Sequence, residues 1–405
     1  MNKEKKKLIP DLRFPEFTNE GEWETKEVGD IFEVTRGYVL AMSLVKENPN
    51  DEYSYPVFSS QTKNNGLAGF YKEFLYEDAI TWTTDGANAG DVNYRTGKFF
   101  CTNVCGVLIN KKGYANQCIA ELINSVSKNS VSYVGNPKLM NGVMSKIVIP
   151  VPKLKEQKKI ASCLSSLDEV IAVHSQKLDS LKTHKKGLMQ NLFPQEGETK
   201  PKYRFPEFRD KGAWVLQKLE GLAKRGSGHT PNKQMSNYYN GGIKWVSLAD
   251  SNKLDNGYIY ATKIQISKDG IENSSAVLHP AGAVILSRDA GVGKSALLYS
   301  EMAVSQHFIA WVCDESKLSN WFLYYVLQIL KPSFESIAVG STIKTIGLPY
   351  FKELCISVPS ISEQQKIASC LFSLDALISA QVEKIEQLKL HKKGLMQGLF
   401  PKINE

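Results

Sequence analysis

Residues 156–194 read EQKKIASCLSSLDEVIAVHSQKLDSLKTHKKGLMQNLFP, and residues 363–401 read EQQKIASCLFSLDALISAQVEKIEQLKLHKKGLMQGLFP. The two stretches lie 207 positions apart and are identical at 25 of their 39 positions. Chance does not produce agreement of this length. The chain therefore contains an internal repeat, which indicates one structural unit used twice.

A second repeated motif stands earlier in each half of the chain. RFPEF occurs at residues 13–17 and again at 204–208, and Trp23 and Trp214 keep the same offset of 191 positions. The regions between this motif and the long repeat hardly resemble each other. Repeated ends with divergent middles suggest a shared framework that carries two separate specificities. We divide the chain into a first variable domain (1–155), a first long helix (156–193), a second variable domain (194–362) and a second long helix (363–405).

The long repeats have the apolar spacing of coiled-coil helices. Apolar residues recur in steps of four and three, as in the a and d positions of a heptad, and only His174 and Lys185, or Gln381 and Lys392 in the second copy, interrupt them. At 1.5 Å per residue each helix would span roughly 50 Å. Two matching stripes in one chain most simply bury each other, either as an internal brace alone or while also presenting a face to partner subunits. The predicted pairing residues are Ile160, Leu164, Leu167, Ile171, Leu178 and Leu181, and Ile367, Leu371, Leu374, Ile378, Ile385 and Leu388.

Composition limits the class of protein. The 405 residues include 42% hydrophobic ones and carry a formal net charge of +8, which fits a globular chain of at least two domains with a mild basic bias. Seven cysteines without a CxxC pair favour reduced thiols over disulfides or zinc. The basic start MNKEKKKLIPDLRF lacks the apolar stretch of a signal peptide, and no apolar run approaches the ~18 residues of a membrane span. We expect a cytoplasmic protein that does not enter a membrane.

The variable regions have the pattern of β-rich domains. Aromatic and β-branched residues alternate with Gly, Asn and Asp in both, and each region carries a short helical stretch late in its sequence, from Gln117 and from Leu318. The similar placement of these stretches supports one mixed α+β fold used twice.

No catalytic constellation stands out in the sequence. GVGKS at 291–295 resembles part of a phosphate-binding P-loop, but the first glycine of that motif would stand at Arg288, so we interpret the segment as a turn. Methyltransferase motifs and a convincing nuclease site are missing, and Cys101 and Cys105 are better explained as small buried residues than as metal ligands. We therefore predict neither catalytic residues nor a metal site in this chain.

Polar loops in both variable regions suit DNA recognition. Asn and Gln can bond adenine, Arg and Lys can bond guanine, and hydroxyl groups can anchor phosphates. For any single loop taken alone, ordinary surface polarity is the better explanation, and the paired architecture is what favours DNA contact. The candidate DNA contacts are Arg36, Tyr38, Gln61, Lys63, Asn64, Asn65, Tyr94 and Arg95 in the first region, and Arg225, His229, Asn232, Arg288, Lys294, Gln306, His307 and Lys344 in the second.

Taken together, these motifs resemble the specificity subunit of type I restriction-modification systems. The resemblance rests on RFPEF…W before each variable region, on the doubled EQ(K/Q)KIASCL…SLD…HKKGLMQ segment, and on GSGHTP (226–231), SRDAGVGK (287–294) and GSTIKTI (340–346) in the second half. The first half departs from it, since TRGY (35–38) stands where GSGxTP would be and GNPKLM (135–140) replaces GST.

The resemblance implies two target recognition domains with β-rich cores, joined by two long antiparallel coiled-coil helices with a pseudo-two-fold internal repeat. Each domain would read one half of a bipartite double-stranded DNA target, and the helices would set the spacer and dock the modification subunits. Two modification subunits and up to two restriction subunits are the implied partners. S-adenosylmethionine, ATP and Mg would be bound by those subunits and not by this chain.

Two other functions remain open on the residues alone. One is a non-enzymatic coiled-coil interaction protein whose two β-rich domains bind proteins or glycans. The other is an enzyme with its own nuclease or methyltransferase site, which the missing motifs disfavour.

Overall fold

The computed structural model describes residues 7–60, 64–340 and 344–402. The chain forms two compact units, which we call the first unit (1–175 with 384–405) and the second unit (176–383). Their boundaries fall inside the two long helices, α4 (Leu154–Leu192) and α8 (Ile361–Leu399). Each unit therefore combines one variable domain with the start of one long helix and the end of the other. The predicted domain boundaries at 155, 193 and 362 instead treat each long helix as a separate segment. These boundaries stay a prediction.

The first unit is built on a six-stranded sheet in the order β2-β7-β5-β6-β3-β4, with a separate β1-β8 pair. The pairing of β3 with β6 is parallel and the other pairings are antiparallel. Its strands are β1 (Glu24–Glu27), β2 (Glu33–Arg36), β3 (Tyr55–Phe58), β4 (Leu67–Tyr71), β5 (Tyr76–Thr83), β6 (Val92–Cys101), β7 (Cys105–Ile109) and β8 (Val148–Val151), and its short helices are α1 (Val28–Ile31), α2 (Gln117–Ser127) and α3 (Asn141–Met144).

Helix α2 closes the core of the first unit. Asn116 caps it, because its side chain accepts a hydrogen bond from the Ile119 backbone N–H at 3.1 Å. The apolar face of α2 packs in one cluster with Trp82 and Leu108 of the sheet. The same cluster holds Ile160 and Leu164 from the start of α4, with Leu399 and Phe400 from the end of α8. One core thus joins the variable domain to both helix segments.

The second unit has a five-stranded sheet in the order β10-β18-β15-β16-β12, a four-stranded sheet in the order β13-β11-β17-β14, and a β19-β9 pair. Its strands are β9 (Val215–Lys218), β10 (Ala223–Ser227), β11 (Tyr239–Val246), β12 (Tyr258–Ile259), β13 (Ile264–Ile266), β14 (Leu278–His279), β15 (Val284–Ser287), β16 (Ser295–Leu298), β17 (Met302–Val304), β18 (Phe308–Cys313) and β19 (Cys355–Val358). Its remaining helices are α5 (Lys268–Glu272), α6 (Asn320–Ile337) and α7 (Leu348–Glu353). None of the helices within the described ranges is long and apolar enough to span a membrane.

The two variable domains share an arrangement of three neighbouring strands. Thr35 of β2 lies opposite Val107 of β7, and Gly226 of β10 lies opposite Ala310 of β18. Thr35 and Gly226 are 191 positions apart, which is the offset of the RFPEF motifs. Strands β2, β7 and β5 therefore correspond to β10, β18 and β15, although their side chains differ.

The predicted stripe residues of the long helices are all buried or half-buried. The lysines that interrupt the stripe pair across the helices in both units. Lys392 Nζ lies 2.8 Å from Asp168 and 3.3 Å from Glu121 in the first unit, and Lys185 Nζ lies 2.5 Å from Asp375 in the second. The first residues of one helix thus pack with the last residues of the other, which makes the segments antiparallel. A charge pair within an apolar stripe specifies one register, since a shift would leave the lysine without its carboxylate.

The two repeated sequence motifs bond directly to each other. Arg13 of the first RFPEF donates from Nε and Nη2 to the two carboxylate oxygens of Glu156, at 2.7 and 2.8 Å. Arg204 and Glu363 make the same two-pronged pair at 2.7 Å. Both carboxylates are almost fully buried, and each raises the pKa of its arginine through the hydrogen bond. The repeat is therefore a connected framework that ties each variable domain to the start of its long helix.

Candidate nucleic-acid interface

Loops at one end of the sheet in the first unit form a polar surface. Strand β2 ends at Arg36, after which the Gly37 N–H donates to the Cys105 carbonyl and the Tyr38 N–H donates to the Cys101 carbonyl, both at 3.0 Å. A side chain at Gly37 would place its Cβ 2.0 Å from the Cys101 oxygen, so only glycine fits. We call this close passage of one backbone segment against another a tight crossing. It leaves Tyr38 at the surface, with 65% of it exposed.

The second unit builds the same crossing from residues 191 positions further on. Strand β10 ends at Ser227, and the His229 N–H donates to the Val304 carbonyl at 3.0 Å. A Cβ at Gly228 would lie 2.1 Å from that carbonyl oxygen. The exposed His229 thus occupies the place of Tyr38. TRGY, which departs from the second half in sequence, is the structural counterpart of residues 226–229.

Hydroxyl groups stand behind each crossing. The Thr102 N–H donates to the Phe58 carbonyl, and the Ser305 N–H donates to the Val246 carbonyl, both at 2.9 Å. Thr102 Oγ1 donates to Ser59 Oγ at 3.0 Å, whereas Ser305 Oγ is buried without a hydrogen-bond partner among the described residues. Sequence reasoning missed these residues, because a parallel strand pair between distant segments leaves no local signal.

A third loop completes each surface. The Leu139 N–H donates to the Thr84 carbonyl in the first unit, and the Ile346 N–H donates to the Arg288 carbonyl in the second, both at 2.9 Å. Asp289 follows Arg288 in the chain. Its Oδ1 contacts His307 Nδ1 at 2.7 Å, and this contact orients the imidazole. We call these sets the first loop surface (Arg36–Tyr38, Ser59, 83–85 and Thr102) and the second loop surface (227–229, Ser247, 287–289 and 305–307).

The candidate contacts of the first region differ in their exposure. Arg36, Tyr38, Asn64 and Asn65 are exposed, and the two asparagines have φ near +50°, in the left-handed region. Tyr94 packs against the core, and burial raises its pKa. Arg95 is recessed behind the loop surface. Gln61 and Lys63 lie outside the described residues.

Half of the second-region candidates belong to the second loop surface, namely His229, Arg288, Gln306 and His307. His229, Asn232 and Gln306 are exposed, and Gln306 bonds the Thr230 hydroxyl. Arg288 Nε donates to the Ile346 carbonyl at 3.2 Å. Lys294 and the exposed Lys344 line a hollow of about 530 Å³ nearby.

Arg225 differs from these candidates. Its Nε donates to Glu220 Oε1 at 2.7 Å, so an internal carboxylate already pairs with the guanidinium. The Nη donors of Arg225 are not used by this pair.

The first loop surface offers hydroxyls and the guanidinium of Arg36. The second offers hydroxyls, imidazoles, the Gln306 amide and the guanidinium of Arg288. These groups bond base edges and phosphates. Within the ranges that the structure describes, no group of three or more His, Cys, Asp or Glu residues is placed to hold a metal ion.

Each unit thus combines a β-rich domain that carries an equivalent set of loops with two antiparallel helix segments. The chain belongs to the family of the type I restriction modification DNA specificity domain, whose family model matches residues 20–183 and 211–390. The family is one of specificity domains rather than of catalytic domains. This assignment confirms the resemblance seen in the sequence.

Similar proteins agree with the family assignment. A type I specificity subunit of Mycoplasma pneumoniae is 28% identical over 382 residues, which cover 92% of this chain and 94% of that protein. The specificity subunit of the type I restriction enzyme MjaVIII of Methanocaldococcus jannaschii is 24% identical, covering 96% and 93%.

The crystal structure of the S subunit of a type I restriction-modification system from M. genitalium shares the fold. Its TM-score is 0.64 at 15% identity, covering 98% of this chain and all of that one. A chain from a structural study of complex assembly in the type I R-M system has a TM-score of 0.55 at 16% identity, covering 94% and 97%. The predicted mixed α+β fold with two β-rich domains and long helices is confirmed.

Replacing His229 with alanine is expected to relax one base position in the half-site of the second domain, by about 1 to 3 kcal/mol of discrimination. The exposed imidazole stands at the tight crossing and makes no side-chain hydrogen bond with the residues that the structure describes. Binding to duplexes varied at each position measures the effect. Lys268→Gln, which removes an exposed cation on α5, is the control. Equal weakening on all duplexes would instead make His229 a phosphate contact.

Proposed function

We propose that this chain is the specificity subunit of a type I restriction-modification complex and that each variable domain reads one half of a bipartite DNA target. The observation that carries the proposal is the pair of equivalent loop surfaces. Their backbone hydrogen bonds correspond, while the exposed side chains differ, with Tyr38 in one and His229 in the other. Equal scaffolds with unequal side chains suit two half-sites of different sequence.

We infer that the long helices set the spacer between the half-sites and dock the modification subunits. The Lys392–Asp168 and Lys185–Asp375 pairs fix the register of the helix segments in their own units. Both helices are 39 residues long. Apolar residues also face outwards on the helices. Val173 is 65% exposed and Leu390 67% exposed. Exposed apolar side chains on a framework helix support a partner surface.

The chemistry then belongs to partner subunits in the cytoplasm. Two modification subunits would bind S-adenosylmethionine, and up to two restriction subunits would use ATP and Mg. The loop surfaces support this division, because amides, hydroxyls and cations bind DNA without reacting with it. The alternative of a protein- or glycan-binding coiled-coil protein is not favoured by the family assignment.

Expression with the cognate modification subunit, followed by sequencing of methylated adenines, tests the proposal. The expected result is one bipartite, asymmetric motif with an unread spacer of fixed length. Exchanging the second variable domain for that of a relative should change one half of the motif and leave the other. No methylation, or a short continuous motif, would count against the proposal.

A further inference from the structure

A polar cavity of about 270 Å³ lies in the first unit, behind the first loop surface. Its walls are mainly hydroxyl and amide side chains from β5, from β6 and from the segments around them. The lining residues include Asn65, Thr81, Asn93 and Arg95.

Arg95 is held rigidly in the wall of this cavity. Its Nε donates to Thr81 Oγ1 at 3.0 Å and its Nη2 donates to the Asn65 carbonyl at 2.7 Å. One face of the guanidinium stacks on the Phe58 ring, 3.8 Å from the centroid. Two bonds and a stacked face fix the orientation, while the remaining N–H groups of Arg95 bond no described residue.

The charge of Arg95 also lacks a carboxylate partner among the described residues. Asp91 lines the cavity, but it pairs with Lys128 at 2.8 Å. Burial lowers the pKa of Arg95 to about 10. An immobilised cation with unused donors is costly in a recessed site unless something supplies acceptors. The geometry therefore has the form of a site prepared for a ligand.

The second unit shows that the fold does not require this cavity. Strand pairing places Thr81 and Asn93 of the first unit where Ile285 and Ala296 stand in the second. By the same register, Arg95 corresponds to Leu298. Ile285, Ala296 and Leu298 are fully buried in one apolar cluster. The polar cavity is thus a property of the first domain alone.

The ligand must bring two neighbouring acceptors to one guanidinium. Among the nucleobases, guanine presents such a pair, N7 and O6, and arginine is its usual partner. A cavity of this volume holds one base. Neutral amides and hydroxyls make up most of the remaining polar wall, whereas a phosphate site would be expected to gather several cations.

The depth of Arg95 below the protein surface decides whether a base can reach it while stacked in the duplex. Arg95 is recessed, while Tyr38 and Asn64 at the loop surface are exposed. A base edge within a stacked duplex is reached by side chains that protrude into the groove, so a recessed arginine cannot contact it. We propose that this cavity receives one guanine rotated out of the DNA duplex and that Arg95 identifies it through N7 and O6. The inference rests on the proposed function.

Variants of the full chain, expressed with its modification subunit, test Arg95 by mapping the methylated motif. Arg95→Gln and Arg95→Lys should both lose the requirement for one guanine in the half-site of the first domain, with discrimination falling about ten- to hundredfold. Lysine should fail because it lacks the planar fork. Lys98→Gln, which removes an exposed cation from the same strand, should leave the motif unchanged. A guanine requirement that survives in both Arg95 variants overturns the inference. The inference also fails if Arg95→Gln weakens binding to all sequences alike and Arg95→Lys restores that binding.

The wild-type chain gives a second test that does not depend on how the variants fold. Each guanine of the first half-site is replaced in turn by 7-deazaguanine, which lacks N7, or by inosine, which keeps N7 and O6. At one position the first replacement should weaken binding about tenfold or more and the second should not. Placing that guanine opposite an abasic site should tighten binding, because less unpairing is needed. Absence of any such position, or no tightening, rejects the inference. If wild-type protein gives no bipartite motif, the proposed function itself fails.

Discussion

Replacing Arg13 with methionine is expected to lower the free energy of unfolding of the first unit by about 3 to 5 kcal/mol. Methionine keeps the apolar bulk but leaves the Glu156 carboxylate, which is only 1% exposed, without its guanidinium partner. The Glu20 and Gly21 carbonyls lose the donor Nη1 as well. Hydrogen exchange under increasing urea, read separately for peptides of each unit, measures the change.

The chain supplies a matched control for this prediction. Lys159→Met breaks the neighbouring pair with Glu16, in which both side chains are about half exposed, and should cost no more than about 1 kcal/mol. Arg204→Met should repeat the large effect in the second unit, through Glu363. If Arg13→Met were no more destabilising than Lys159→Met, the motif would not hold the domain to its helix.

Replacing Gly228 with alanine is expected to abolish recognition of one half-site and to destabilise the second unit by about 3 kcal/mol. The new Cβ would lie 2.1 Å from the Val304 carbonyl oxygen and 2.2 Å from that of Ser305, so the backbone has to separate. Overpacking of this kind typically costs about 1 to 3 kcal/mol, and the lost His229 N–H bond adds about 1. Urea unfolding and the methylated motif are the two measurements.

Gly221→Ala is the control for Gly228, since no atom lies within 4 Å of a Cβ placed there. Gly37→Ala should disturb the other half-site alone, because its Cβ would meet the Cys101 carbonyl. Normal stability and an unchanged motif in Gly228→Ala would show that the crossing does not shape the loop surface.

Much of the framework was predictable, because its signals are local and repeated. A heptad stripe indicates which face of a helix is buried, and the doubled motif indicates that the helix occurs twice. The lysines that interrupt the stripe also had a meaning, but it appeared only when Lys392 was seen beside Asp168. Likewise, Arg13 and Glu156 both stand in repeated motifs, yet their 143-residue separation hid the bond between them.

The candidate site was predictable only in outline. Polar loops pointed to the right regions, but residue type does not tell exposure. Tyr94 and Arg95 are neighbours on β6, and one packs in the core while the other faces a polar cavity. Alternation along a strand predicts that they face opposite sides of the sheet, but it does not tell which side is polar. The hydroxyls of Thr102 and Ser59 gave no signal at all.

By itself, the sequence determined the repeat, the helices, the class of fold and the family resemblance, since each depends on spacing along the chain. Only the tertiary structure decided that TRGY and GSGH make the same crossing, that the compact units divide inside the helices, and that one domain keeps a polar cavity where the other is apolar. These features depend on contacts between residues far apart in the chain. Such contacts are fixed by strand register and packing, and a linear pattern does not record them.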